Sequence, residues 1–158
     1  MAEPKTNAMR ILDRFHIAYA VHTYEPGDGI DGVSVAGKLG RDPADVYKTL
    51  VTLAKSGEHY VFVIPVEREL DLKAAAAAVG EKAVSMLPLK DLTKVTGYIR
   101  GGCSPIGMKK LFRTVIDASA RDRENIVVSA GKIGLQIETA PANLQRAVDA
   151  IFAPVAQH

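Results

Sequence analysis

Three segments of the chain concentrate residue types that a packed interior does not call for. The first is Val46-Tyr47-Lys48-Thr49-Leu50-Val51. The period-two alternation of a strand sends Val46, Lys48 and Leu50 to one face and Tyr47, Thr49 and Val51 to the other. An ammonium beside two apolar residues has two readings. It snorkels from a strand edge to water, or it projects into a pocket toward a phosphate or a developing oxyanion. The second segment runs from Gly97-Tyr98-Ile99-Arg100 through Gly101-Gly102-Cys103-Ser104-Pro105-Ile106-Gly107, with four glycines and a proline in eleven residues. Adjacent Gly101 and Gly102 allow a ligand close to the backbone, where N–H groups can bind an anion or a carbonyl. Many surface loops are as rich in glycine, and the spacing is not that of a P-loop. In the third, residues 127–138, two strands are predicted around a tight turn at Ala130-Gly131-Lys132. Ser129, at a strand end, either faces a pocket or satisfies its own turn backbone.

Other chemistries find little support. His16, His22, His59 and His158 are scattered and lack the His-x-x-x-His spacing and attendant acids of a zinc site, so no metal is expected. No Gly-x-Ser-x-Gly nucleophile elbow is present. Cys103 can be read as a nucleophile whose pKa is depressed by Arg100 and loop amides, or as an ordinary small hydrophobe.

The elements that must position these residues follow from periodicity and punctuation. A helix is predicted over 6–17, with Thr6 as its cap and Ala8, Met9, Ile11, Leu12 and Phe15 on one side. Residues 18–24 alternate as a strand, and the glycine-rich stretch 25–32 is a loop. A short helix over 34–39 ends at Gly40, and strands over 46–53 and 60–66 form a hairpin. Asp71 caps a helix through the alanine run to Gly80. A strand over 83–87 follows, then a helix with Pro88 in its first turn. Further strands are expected over 113–118, 125–129 and 133–138, and a last helix over 141–152. This irregular mixture favours an α+β fold over a doubly wound sheet.

The bounds agree with one domain spanning residues 1–158. The chain is 47% apolar and 24% charged, with a net charge of 20 − 18 = +2 that does not by itself mark a nucleic-acid binder. One cysteine excludes an intrachain disulfide framework and fits a reducing compartment. No apolar run reaches the roughly 20 residues of a membrane span, and the first residues lack a signal-peptide pattern. A cytoplasmic protein with no membrane contact is the expectation.

At the three segments the sequence resembles the YbaK/EbsC family. The residues that carry the likeness are Tyr47-Lys48-Thr49-Leu50, Gly101-Gly102-Cys103-Ser104-Pro105-Ile106-Gly107 and Val128-Ser129-Ala130-Gly131-Lys132-Ile133-Gly134. Lys5-Thr6-Asn7-Ala8-Met9 and His22-Thr23-Tyr24 also match the family's start, so the likeness runs from residue 6 to residue 152. These are aminoacyl-tRNA deacylases related to the editing domain inserted in bacterial prolyl-tRNA synthetases. The resemblance implies a curled, mixed, mostly antiparallel sheet surrounded by helices. It also implies trans-editing of cysteine from Cys-tRNA(Pro), and from Cys-tRNA(Cys), without metal or cofactor.

By that resemblance Lys48 is the key cation, pairing with the tRNA 3′ end or the reacting ester. Thr49 and Ser129 hydrogen-bond the terminal adenosine or aminoacyl group. Gly101 and Gly102 hold the carbonyl through their N–H groups, Tyr24 shapes the pocket, and Ser104 and Gly131 belong to the binding motifs. Asp31 stands where some members carry a pocket aromatic and Gln136 where some carry an acid. Both bear on which amino acid is removed. Removal of alanine from tRNA(Pro) by a bound water, and a non-catalytic module docking on tRNA or on prolyl-tRNA synthetase, are the alternatives.

Overall fold

The computed structural model describes residues 5–25, 27 and 32–157. Thr6 caps α1 (Asn7–Arg14) by accepting the Met9 N–H on its hydroxyl, and Ala8, Met9 and Leu12 form the buried stripe. The helix ends at Arg14, short of the predicted 17, because His16 adopts φ 57° and the Ile17 N–H turns back to the Leu12 carbonyl. The chain continues through β1 (Ala20–Thr23), α2 (Gly32–Leu39), β2 (Tyr47–Ala54) and β3 (His59–Pro65). The loop expected over 25–32 lies largely outside the described residues. β2 and β3 form the expected hairpin, with Tyr47 opposite Pro65 and Leu53 opposite His59.

The Asp71 carboxylate accepts the N–H groups of Lys73 and Ala74 to start α3 (Leu72–Val79), and Gly80 stops it at φ 73°. Ala75 and Ala76 are buried, so the alanine run is a closely packed face. β4 (Val84–Met86) follows. Pro88 has an extended ψ of 136° and precedes a short 3-10 turn rather than lying within a helical first turn, and α4 (Leu92–Thr96) comes after that turn.

β5 (Arg113–Asp117), β6 (Ile126–Lys132), β7 (Leu135–Thr139), α5 (Pro141–Val148) and β8 (Ile151–Ala153) complete the fold. Two further boundaries differ from the sequence reading. The predicted last helix ends at Val148, where Asp149 turns left-handed at φ 52°, and residues 151–153 instead pair parallel with β5. The tight turn predicted at Ala130-Gly131-Lys132 falls at Ile133-Gly134; Ala130 and Gly131 form a bulge inside β6.

The architecture is α+β. Its strands divide between two sheets rather than one curled sheet: an antiparallel one ordered β1-β7-β6, and a mixed one ordered β4-β2-β3-β5-β8. Beneath the first, α1 and α5 pack through Leu12 and Leu144 onto Ile126, Val128 and Ile137. On the second, α3 covers Phe62, Ile64 and Val115. The sheets share a core in which Tyr47, Val63 and Ile116 of the second lie with Val128 and Ile137 of the first, and a parallel bridge links Val46 to Val127, buried with Ala36 and Val66 under α2.

Residues 155–157 lie along the segment that leads into α3. Asp117 Oδ1 accepts the N–H groups of Val155 and Ala156, each at 2.9 Å. Asp71 N–H donates to the Val155 carbonyl, and Gln157 N–H donates to the Glu69 carbonyl, both at 2.8 Å.

Candidate active site

Past the Val46–Val127 bridge, β2 and β6 run in the same direction and diverge, and the fork between them opens into a cleft of about 450 Å³. β4 pairs only with Thr52–Ala54, so the first half of β2 keeps one edge without a strand partner and forms the floor. Lys48 lies two residues beyond the bridge on β2, and Ser129 two residues beyond it on β6. Both line the cleft, as do Tyr24, Thr49, Gly101 and Gln136. Gly32, Val33 and Val35 of α2 form one wall, and the loop of Arg100, Gly101 and Cys103 contributes to the lining.

Lys48 combines both readings open to it. Its register partner is Ile64 and its face packs on the α3 cluster through Leu50. The stem is thus held by apolar groups while the side chain stays 26% exposed toward the cleft. Its ammonium lies 4.0 Å from a carboxylate oxygen of Glu69, a residue 80% exposed in its side chain. Such a loose, solvated pair leaves the cation available to a second anion.

Two buried hydroxyls among the described residues have no hydrogen-bond partner, those of Tyr24 and Thr49, and both belong to this lining. A buried polar atom left unpaired costs roughly 1–3 kcal/mol, so a protein tolerates a pair of them chiefly where a polar ligand satisfies them. Ser129 accepts the Gly131 N–H at 3.1 Å, which leaves its O–H free to donate into the cleft. Gln136, 5% exposed, stands opposite both Ser129 on β6 and His22 on β1, so one row across the sheet presents an amide and a hydroxyl.

Three of the sequence-derived residues have structural work elsewhere. The Gly102 N–H donates to the Ile99 carbonyl at 3.0 Å, and a Cβ there would meet the Ile133 nitrogen at 3.0 Å. Gly102 therefore packs the loop against the β6–β7 turn. Ser104 is fully buried and accepts the Ile106 N–H. Gly131, at φ 100°, admits the Tyr98 ring, whose Cε1 a Cβ would meet at 2.9 Å. None of these three lines the cleft. Asp31 lies outside the described residues. Glu69, which pattern reading missed, reaches the cleft because the hairpin pairing continues past β3, with the Val66 N–H bonded to the Val46 carbonyl, and the chain then turns beside the start of β2, where the Arg68 N–H bonds the Pro65 carbonyl.

The electrostatics favour positioning over a protein nucleophile. Burial pushes the Cys103 thiol up to about 11, offset in part by a hydrogen bond with Thr96, so at neutral pH it is a thiol. No histidine is among the described lining residues. His22 is bonded to Glu138 at 2.7 Å, and Arg41 grips the same carboxylate through both nitrogens at 2.9 and 2.8 Å. Burial works against the charged form of Glu138, but these hydrogen bonds outweigh it and hold the carboxyl below its ordinary 4.5. The ion cluster thereby ties the end of α2 to the sheet that carries Gln136.

Comparison with known proteins places these features in context. A curated relative from Enterococcus faecalis (strain ATCC 700802 / V583), "Putative Cys-tRNA(Pro)/Cys-tRNA(Cys) deacylase EbsC", is 46% identical over 154 residues, covering 97% of this chain and 94% of its own. Among solved structures, that of hypothetical protein APE2540 superposes with a TM-score of 0.88 at 21% identity, over 96% of this chain and 100% of the other. The one described as "a putative trans-editing enzyme for prolyl tRNA synthetase" gives 0.81 at 19% identity, over 96% and 93%. At those identities the likeness concerns the fold alone. A family model described as an aminoacyl-tRNA editing domain matches residues 31–147, which include every described residue that lines the cleft apart from Tyr24, and the resemblance read from the three motifs holds: the chain belongs to the aminoacyl-tRNA editing domain family.

Proposed function

We propose that this chain is a free-standing editing enzyme that removes cysteine from mischarged Cys-tRNA(Pro), and from Cys-tRNA(Cys), by positioning the substrate for attack by its own thiol. The carrying observation is the cleft itself. It gathers a half-buried cation and two unpartnered buried hydroxyls, with no histidine among its described lining residues and a cysteine held as a thiol. Its volume falls among small-molecule sites, which suits a terminal aminoacyl nucleotide. The substrate's sulfur forms a bond to the ester carbonyl, the carbon–oxygen bond to the tRNA breaks, and the thiol proton ends on the released tRNA hydroxyl. The products are a cyclic thiolactone and free tRNA. Tethering of sulfur to carbonyl supplies much of the rate.

Lys48 is assigned to the developing oxyanion or the terminal phosphate, and Tyr24, Thr49 and Ser129 to the ribose or the aminoacyl group. Gly101 remains the lining glycine for the carbonyl, and Gln136 faces the amino-acid side chain. A small pocket separates cysteine from proline by only a few kcal/mol, which is why charging errors need a second site. With a net charge of +2 the chain has little reach for a whole tRNA, so delivery by prolyl-tRNA synthetase in the cytoplasm fits this reading. We read residues 1–158 as one editing domain.

One observation favours a second reading. Glu69, beside Lys48, is a carboxylate placed to activate a water, which removal of alanine would require. Loss of label from Cys-tRNA(Pro) and Ala-tRNA(Pro), measured side by side with this protein alone, separates them. Release of cysteine only, with thiolactone among the products, supports thiol attack. Release of alanine moves the reaction to a bound water. Release of neither, also after addition of the synthetase, sinks the enzymatic reading and leaves a docking module.

A further inference from the structure

A second concavity, of about 420 Å³, lies between α1, α5 and the loop 105–112, and its chemistry is the opposite of the cleft's. Ile11, Ile106, Phe112 and Val148 line it, and among its described residues no buried side-chain polar atom is unpaired: Thr114, its buried hydroxyl, donates to the Phe112 carbonyl at 3.0 Å. Small-molecule sites orient their ligands with a few convergent polar groups, and here the one buried side-chain hydroxyl of the described lining is already bonded within the fold. Phe15 and Leu111, also in the lining, are 42% and 67% exposed, which is costly for side chains of that size unless something covers them. The charged residues of the lining are Arg14 and Lys110, both cations and neither in an ion pair among the described residues. The Lys110 ammonium stands 6.0 Å over the Phe112 ring. The neighbouring carboxylate on α1, Asp13, is bonded instead to Lys5 and Tyr19.

We propose that this groove docks an amphipathic segment of a partner protein, a helix whose apolar face is flanked by acidic residues. An apolar floor with a cationic rim accepts leucine-like anchors in the groove and carboxylates at its edge. A phosphate chain would engage the rim and leave the floor uncovered. A two-fold pairing of this groove with itself would set Arg14 and Lys110 against their own copies with no acid between them. The loop that walls the groove continues from the Arg100–Cys103 wall of the cleft and is pinned by the Tyr98 hydroxyl on the Ile106 carbonyl at 2.6 Å. A partner seated there is therefore held beside the reaction site without obstructing it.

Two synthetic helical peptides with the same leucine face, one flanked by glutamates and the other by lysines, test the assignment by fluorescence anisotropy with the full chain. The glutamate peptide binds; Leu111→Ser weakens it about ten-fold. The pair Arg14→Glu and Lys110→Glu abolishes that binding and transfers it to the lysine peptide. Thermal melts confirm that each variant is folded. Equal binding of both peptides, binding of neither, or binding unchanged in the charge-reversed variant overturns the proposal. So does displacement of the peptide by a short single-stranded RNA, or sedimentation showing a dimer of this chain that Leu111→Ser dissociates.

Discussion

The hydroxyls of Tyr24 and Thr49 set stability against function at single residues. Neither has a partner among the described residues, so removing either takes away a desolvation cost in the folded state. Tyr24→Phe and Thr49→Val should each raise stability by about 1 kcal/mol in urea denaturation while lowering kcat/KM for deacylation about ten-fold. A variant that loses both stability and activity would show that the hydroxyl is satisfied inside the fold. Lys48→Ala should cost about 100-fold or more in kcat/KM with the melting temperature kept or raised, since the ammonium makes only the loose contact with Glu69. Cys103→Ser should retain most activity in the same assay, because its thiol is protonated at neutral pH. Lys48 was legible in the sequence because a charge on the apolar side of a strand needs a reason. Glu69 was not, because nothing local marks it; its place depends on the turn that follows β3 lying beside the start of β2.

Between elements, the fit of Tyr98 into the β6 bulge decides where the cleft's loop wall stands. The ring occupies the space that a Cβ at Gly131 would take, and its hydroxyl fixes the loop through the Ile106 carbonyl. Gly131→Ala should therefore destabilise by roughly 1–3 kcal/mol, from the left-handed backbone and the clash together. In a Tyr98→Leu background the added cost should shrink toward the backbone part, a non-additivity readable in a double-mutant cycle of denaturation free energies. The hairpin of β2 and β3 and the alanine face of α3 were readable because their signals are local. The glycine pair was read only in half. A Gly-Gly step shows that the backbone can come close, but not that Gly102 spends its N–H on Ile99 while Gly101 meets the cleft. β8 escaped notice for a related reason: Ile151 and Phe152 prolong the helical apolar spacing, and only a parallel partner remote in sequence makes them a strand.

For the whole molecule, the tie between α2 and the β1-β7-β6 sheet bears on both stability and the shape of the cleft. Glu138 carries much of that tie through Arg41, and is held within the sheet by His22. Its folded pKa lies below the ordinary 4.5, so its contribution is present above that value and is lost as pH falls through the lower, folded one. Asp117, also held below its ordinary 3.8 by hydrogen bonds that outweigh its burial, adds to the same acid limb. The melting temperature should stay level from pH 7 to about 5 and drop below about 4.5, and Glu138→Gln should flatten part of that drop. An unchanged acid limb in the variant would remove the carboxylate from this role. The hold of residues 155–157 on Glu69 and Asp71 carries a consequence for synthesis. A ribosome delivers the floor of the cleft early and these three residues last among those described, and until they leave the exit tunnel the hydrogen bonds from Gln157 to the Glu69 carbonyl and from Asp71 to the Val155 carbonyl cannot form. A nascent chain stalled before residue 155 would thus display its lysine on a finished hairpin beside a carboxylate whose backbone is held from the β3 side alone, so the site reaches its full rigidity only when this segment has been translated.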